Sequence, residues 1–232
     1  MASILDSFRE TFSDRWSFFK IIVFAIPIYF AYDQYLKATT DYSNVFWILT
    51  ITSFFLFGFF VKSVSNVVNE RDSVMPSLNP FMMALSTIKT LIAIGPISAI
   101  SIALGNYFTS IINIIPWLDT TLKVIVWLIV ASVCLTSLLM YVKRERIADA
   151  YNLKILSEKA GDLLLGLVFY VLQLIVINVP TTGFLGYTLA VLFGVGTILY
   201  IFLGYAIVFN IIVFGHYLSQ LRYEVIGADK SR

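Results

Sequence analysis

Between Asp162 and Arg222 the chain runs for 59 residues without a single charge. A bilayer's hydrocarbon core is about 30 Å thick and a helix rises about 1.5 Å per residue, so one crossing takes about 20 apolar residues. A run of this length therefore holds two crossings. Shorter uncharged runs follow the same rule: residues 42–61, 90–118 and 124–142 are long enough for one crossing each. The first apolar run, 21–32, is short, but extends to 18–36 if Lys20 and Asp33 reach toward opposite interfaces.

The reading is an all-α, polytopic membrane protein with six crossings in three hairpins, at 18–36, 44–63, 91–112, 122–142, 162–179 and 186–217. They form a single membrane domain over 20–225, followed by a short tail, 226–232. Five crossings, with 21–32 re-entrant or lying in the interface, is the alternative. The divider of the 59-residue run is placed at Asn178-Val-Pro-Thr-Thr-Gly183, which concentrates proline, glycine and small polar residues.

Composition agrees with this and excludes other classes. Charged residues are 13% of the chain, about half of the roughly 25% of a soluble domain. A soluble enzyme and a disordered tail are excluded, and a net charge of +2 gives no basic field for nucleic acid. The lone His216 and lone Cys134 cannot build a metal, haem or iron–sulfur centre, so no cofactor is expected. Asp6, Glu10 and Asp14 stand where a secretory signal would open with basic residues, so the N-terminus is expected to be retained.

With six crossings, only Lys37 and Lys123 fall on one side, and the other 14 lysines and arginines fall on the opposite side. The positive-inside rule then puts both termini, Arg71 and the 143–159 joint in the cytoplasm, in a cell (inner or plasma) membrane. Residues 1–19 form an amphipathic element. At 100° per residue Ile4, Leu5, Phe8, Phe12, Trp16 and Phe19 share one sector, as in a helix lying in the headgroup plane; docking on a partner is the other reading.

The even-numbered crossings end alike. Phe57-Gly-Phe-Phe-Val-Lys-Ser-Val-Ser-Asn66 and Phe214-Gly-His-Tyr-Leu-Ser-Gln220 share an aromatic–glycine step, and Leu138-Leu-Met-Tyr-Val-Lys-Arg-Glu-Arg146 lacks the glycine. This is a weak internal repeat. At the middle joint the fourth helix is expected to continue to Tyr151, Asn152 to cap a short helix, and Gly161 to end it. The segment Tyr141-Val-Lys-Arg-Glu-Arg-Ile-Ala-Asp-Ala-Tyr151, with Gly161-Asp-Leu-Leu164 and Gly215-His-Tyr-Leu-Ser-Gln-Leu-Arg-Tyr223, resembles the same regions in a family of uncharacterised bacterial and archaeal multi-helix membrane proteins, a domain of unknown function. The resemblance covers roughly 140–224 and implies a fold, not an activity.

No Asp, Glu, Lys or Arg lies at membrane depth in the proposed crossings, which argues against an ion-driven pump, an intramembrane aspartyl protease and an acid–base lipid enzyme. His216 has no carboxylate near it in sequence, Glu224 being eight residues on, and reads as a helix-end histidine. Asn106, Gln173 and Asn210 read as cross-links between helices, with Asn113 and Asn178 at the outer interface. Gly95, Ala99 and Ala103, at four-residue spacing on a helix that Pro96 should kink, read as a helix-packing face. Gly186, Gly204 and Gly215 fall on one side of the last helix and read likewise.

The expected function is that of a non-catalytic membrane subunit or scaffold, in contact with lipids and with other membrane subunits or its own copies. Arg144, Arg146, Asp149 and Tyr151 are the candidate partner contacts. The alternative is a transporter component, either a six-helix substrate-binding subunit or a permease whose 144–162 joint is a coupling helix for a cytoplasmic ATPase.

Overall fold

A computed structural model describes residues 2–37, 42–69, 75–112 and 116–226. The elements in order are α1 (Ile4–Thr11), α2 (Ser17–Lys37), α3 (Ser43–Val68), α4 (Pro80–Ile111), α5 (Pro116–Arg144), α6 (Ile147–Ala150) and α7 (Leu153–Gln173). A π-helical turn (Leu174–Asn178) then leads into α8 (Val179–Phe193), and α9 (Thr197–Val225) closes the chain. There is no strand among the described residues. Six helical stretches are long and apolar enough to cross a bilayer. The protein is a multi-pass, all-α membrane protein, and residues 18–36 lie in one continuous helix, Ser17–Lys37.

The fifth and sixth spans differ from the sequence reading. The helix that starts at Leu153 does not stop at Gly161 or turn at 178–183; it continues to Phe193 as a 41-residue stretch. Proline at 180 has no N–H and its ring would press on the carbonyl of residue 176. The chain widens locally instead of breaking, and the N–H of Val179 bonds to the carbonyl of Leu174, five residues back. Thr181 adds a hydroxyl bond of 2.8 Å to the Ile177 carbonyl. The turn signals are thus absorbed inside a helix, and the reversal falls at Gly194, whose φ of +77° suits only glycine. The last crossing is therefore 197–225, so Gly186 lies on α8 and not on the final helix.

The described residues fall into two compact units. The first comprises residue 2, 88–171 and 218–226, and the second 3–87 and 172–217. In the first unit α5 ends at Arg144, short of the expected Tyr151, because Glu145 takes a left-handed conformation (φ +51°). One helical turn follows, and the Ser137 hydroxyl ties it back by donating to the Ala150 carbonyl at 3.1 Å. Asn152 then caps α7 as expected, accepting from the Ile155 N–H at 3.3 Å.

In the second unit α2, α3 and α9 pack closely. Phe24 meets Phe59 at 5.3 Å between ring centroids, and Phe60 stacks on Phe214 at 6.3 Å. Gly58 lets α3 approach the first turns of α4: a Cβ there would meet the Met83 carbonyl and lie 2.6 Å from Thr87 Oγ1. That hydroxyl bridges the two helices, donating to the Phe54 carbonyl at 2.8 Å.

Candidate functional site

The polar groups of the second unit gather around α1. This helix is shorter than the expected 1–19 element; Ser3 caps it, and it gives way to a turn before Ser17. Its buried edge is the narrow one formed by Ile4, Ser7 and Thr11, while Leu5, Phe12 and Trp16 stay exposed. Ser7 and Thr11 bury their hydroxyls by bonding to carbonyls one turn back, at 3.0 and 2.8 Å. Small side chains let α1 sit tightly, and Phe8 and Phe12 lie 5.0 and 5.2 Å from the Phe209 ring of α9. The helix is docked on its own chain through these rings and its narrow polar edge, while Leu5 points outward.

Two polar contacts fix that dock. The Ile4 N–H, left open at a helix start, donates to Gln173 Oε1 at 3.3 Å. Glu10 reaches His216, with Oε2 at 3.5 Å from Nδ1. The sequence reading had left His216 without a carboxylate; folding brings one from the far end of the chain. The imidazole is fully buried, and neither ring nitrogen makes a hydrogen bond.

A second polar group joins the π turn to α9. Asn178 Nδ2 donates to Asn210 Oδ1 at 2.8 Å, Thr182 donates to Asn178 Oδ1 at 2.6 Å, and Asn210 Nδ2 donates to the Ala206 carbonyl at 2.7 Å. Asn178 is therefore also an inter-helix link. Gln173 and Asn210 cross-link as expected, whereas Asn106 is exposed.

At the α1–α2 turn, Lys20 Nζ bonds Asp14 Oδ2 at 2.6 Å and the Met75 carbonyl at 3.2 Å. Burial pushes the Asp14 carboxyl up, but the Lys20 hydrogen bond, the Trp16 N–H and the Lys20 charge outweigh it and hold it below the ordinary value.

The small-residue candidates divide. Gly204 and Gly215 are contact residues: a Cβ on Gly204 would lie 3.0 Å from the Ala25 carbonyl oxygen, and one on Gly215 would lie 3.1 Å from the Phe60 ring. Gly186 has looser contacts, 3.7 Å from Phe202. Among the described residues Gly95, Ala99 and Ala103 do not form a packing face. A Cβ on Gly95 would meet nothing within 4 Å, and Ala99 and Ala103 are exposed. Gly95 precedes Pro96, a position where a Cβ is itself unfavourable in a helix. The inward side of α4 is instead marked by Ile97 and Gly105, the latter close against Val130. Gly58 and Gly166, which abuts Leu221, are tight contacts that the spacing rule missed.

At the joint, Arg144, Arg146 and Tyr151 are exposed, while Asp149 is half-buried. Arg71, Asn113 and the tail from 227 lie outside the described residues. Among the described residues no three His, Cys, Asp or Glu side chains are grouped to hold a metal.

No family model, curated protein or solved structure matches the chain. The resemblance at 140–224 therefore adds nothing to the fold seen here.

Proposed function

We propose that this chain is a non-catalytic membrane subunit or scaffold that works by packing its helices against other subunits or copies of itself. The observation that carries this reading is the outward turn of Ala99 and Ala103 on α4. Small side chains on a lipid-depth face let another helix approach closely, and that approach is what drives association where no hydrophobic gain is available. Asn178 and Asn210 are bonded to one another and Gln173 to α1, which is consistent with a packing role. The protein is taken to lie in a cell membrane with both termini cytoplasmic, on the strength of the lysine and arginine distribution.

The test is purification of the full chain in mild detergent, with the particle mass measured and co-purifying chains identified. The reading expects a particle larger than one chain, reduced to a single chain by Ala99→Leu. A wild-type particle holding one chain and no other polypeptide would sink it. A transport component is the second reading, favoured by the sharply turned, tethered joint at Glu145–Ala150. Co-purification of an ATPase that is lost on Asp149→Lys would select it.

A further inference from the structure

The contacts of α1 fix which of its flanks faces the membrane span. Glu10 is set against His216, while Phe8 and Phe12 are set against Phe209, seven residues further into the charge-free run of α9. At about 1.5 Å per residue the two contacts are about 10 Å apart along α9. Phe209 in turn stacks on Tyr205 at 6.3 Å, and Tyr205 meets Phe18 at 5.3 Å. One ladder of rings therefore joins α1, the span of α9 and the start of α2. The acidic flank of α1 is turned toward the end of α9 that carries Arg222 and Glu224, and the aromatic flank toward the span.

That span-facing flank leaves a strip of apolar surface uncovered. At 100° per residue Leu5 lies about 20° from Phe12 around α1, whereas Asp6 lies about 120° away. Leu5 and Phe12 are 64% and 53% exposed, and beyond α1 the strip continues in Trp16 and Phe19, each 61% exposed. Those two rings meet edge to face at 6.4 Å, and the Arg15 guanidinium lies 6.0 Å from the Trp16 ring. Two observations decide what covers the strip. It runs directly into α2, which begins at Ser17 and is apolar enough to cross a bilayer, so Trp16 and Phe19 stand where the chain enters the membrane. Tryptophan is favoured at that level because an apolar ring with a polar edge suits the boundary between acyl chains and headgroups. The charges of residues 2–20 also balance, with Arg9, Arg15 and Lys20 against Asp6, Glu10 and Asp14. No net charge is left to draw an anionic headgroup or a charged partner.

We propose that Leu5, Phe12, Trp16 and Phe19 form an interfacial anchor. α1 lies in the plane of the membrane with this strip in the headgroup–acyl boundary of one leaflet and Asp6 toward water. Apolar burial holds it there, to a depth of about 5–10 Å, and headgroup charge does not. The helix is then a link between leaflet and bundle, with Ile4, Ser7 and Thr11 on the protein and the aromatic strip on lipid. This goes beyond the subunit reading and does not depend on it, because the anchor needs no second chain.

The test uses the full chain in phosphatidylcholine vesicles, with Trp47, Trp117 and Trp127 replaced by phenylalanine so that Trp16 alone reports. Lipids brominated near the headgroup should quench Trp16 about twofold more than lipids brominated near the chain end, as a shallow anchor requires. Iodide in the water should quench it far less than free tryptophan, and adding phosphatidylglycerol should change neither result. Should the triple replacement fail to fold, a nitroxide on Leu5→Cys in a Cys134→Ser chain asks the same question. Oxygen, which concentrates in lipid, should relax that label more than a water-soluble nickel chelate does. Iodide quenching equal to that of free tryptophan, or a nitroxide relaxed mainly by nickel, would show the strip in water and overturn the proposal. Quenching by neither bromine nor iodide would show it covered by protein. Stronger quenching near the chain end, or quenching that grows with phosphatidylglycerol, would equally reject a shallow, charge-independent anchor.

Discussion

Glu10 and His216 stand 3.5 Å apart, carboxylate oxygen to Nδ1, although they lie near opposite ends of the chain. The contact pins α1 across α9, and it comes from residues that no local pattern relates. Distance and geometry place it outside hydrogen bonding, and it sets a fully buried ring against a partly exposed acid.

If this contact helps to hold α1 down, Glu10→Ala should loosen the helix without unfolding the crossings. Ser7 is fully buried on the inner edge of α1, so a Ser7→Cys reporter measures the loosening directly. Thiol labelling in the Glu10→Ala background should run about fivefold faster, corresponding to about 1 kcal/mol of lost docking. An unchanged labelling rate would assign the dock to Phe8, Phe12 and the Gln173 bond instead.

Gly58 and Ala99 make opposite predictions for added bulk. Gly58→Ala drives a methyl group into the Met83 carbonyl and Thr87, backbone and tethered groups with little room to yield. It should cost about 1–3 kcal/mol of stability, read as a lowered melting temperature in detergent. Ala99→Leu, on an exposed face, should change the stability of the single chain by less than about 0.5 kcal/mol.

The amide pair can be weighed by a double-mutant cycle. Asn178→Ala and Asn210→Ala, alone and together, should yield a coupling energy of about 0.6 kcal/mol, with about 1.7 kcal/mol as the ceiling seen for such links in membrane helices. Thr182→Val should lose a smaller part, since Asn178 Oδ1 is the acceptor it serves. A coupling near zero would mean that the two amides find equally good partners when separated.

Asp14 supplies a pH dependence whose sign is fixed. Its carboxyl is held below the ordinary value in the folded protein, so the folded state favours the charged form. The associated stability is fully present above the unfolded-state pKa, about 3.9 for aspartate, and is lost as pH falls through the lower folded value. Acid melting curves should therefore differ between wild type and Asp14→Asn near neutrality and converge at the acid end. Convergence at neutral pH, with a difference appearing only in acid, would reverse the assignment.

The sequence by itself determined the all-α, multi-pass class of the chain and the six stretches, among the described residues, that are apolar enough to cross a bilayer. Charge-free length is a one-dimensional property, and a bilayer reads it directly. It also found Gly204 and Gly215, and the Asn152 cap, because caps and small-residue contacts are local demands on residue type. The tertiary structure decided everything that depends on which face of a helix is spoken for. Gly95, Ala99 and Ala103 have ideal spacing, but a helix buries whichever side its neighbours occupy, and here that side includes Ile97 and Gly105. The Pro180 cluster was read as a reversal because proline and glycine usually end helices in water. In an apolar stretch the cost of exposing backbone groups favours a π turn that keeps them bonded, and only at Gly194 does the backbone reverse. Glu10 with His216, and Asn178 with Asn210, were separately visible as residues but not as pairs. Each pairing joins groups from different helices, and their proximity is a consequence of packing that sequence spacing does not encode.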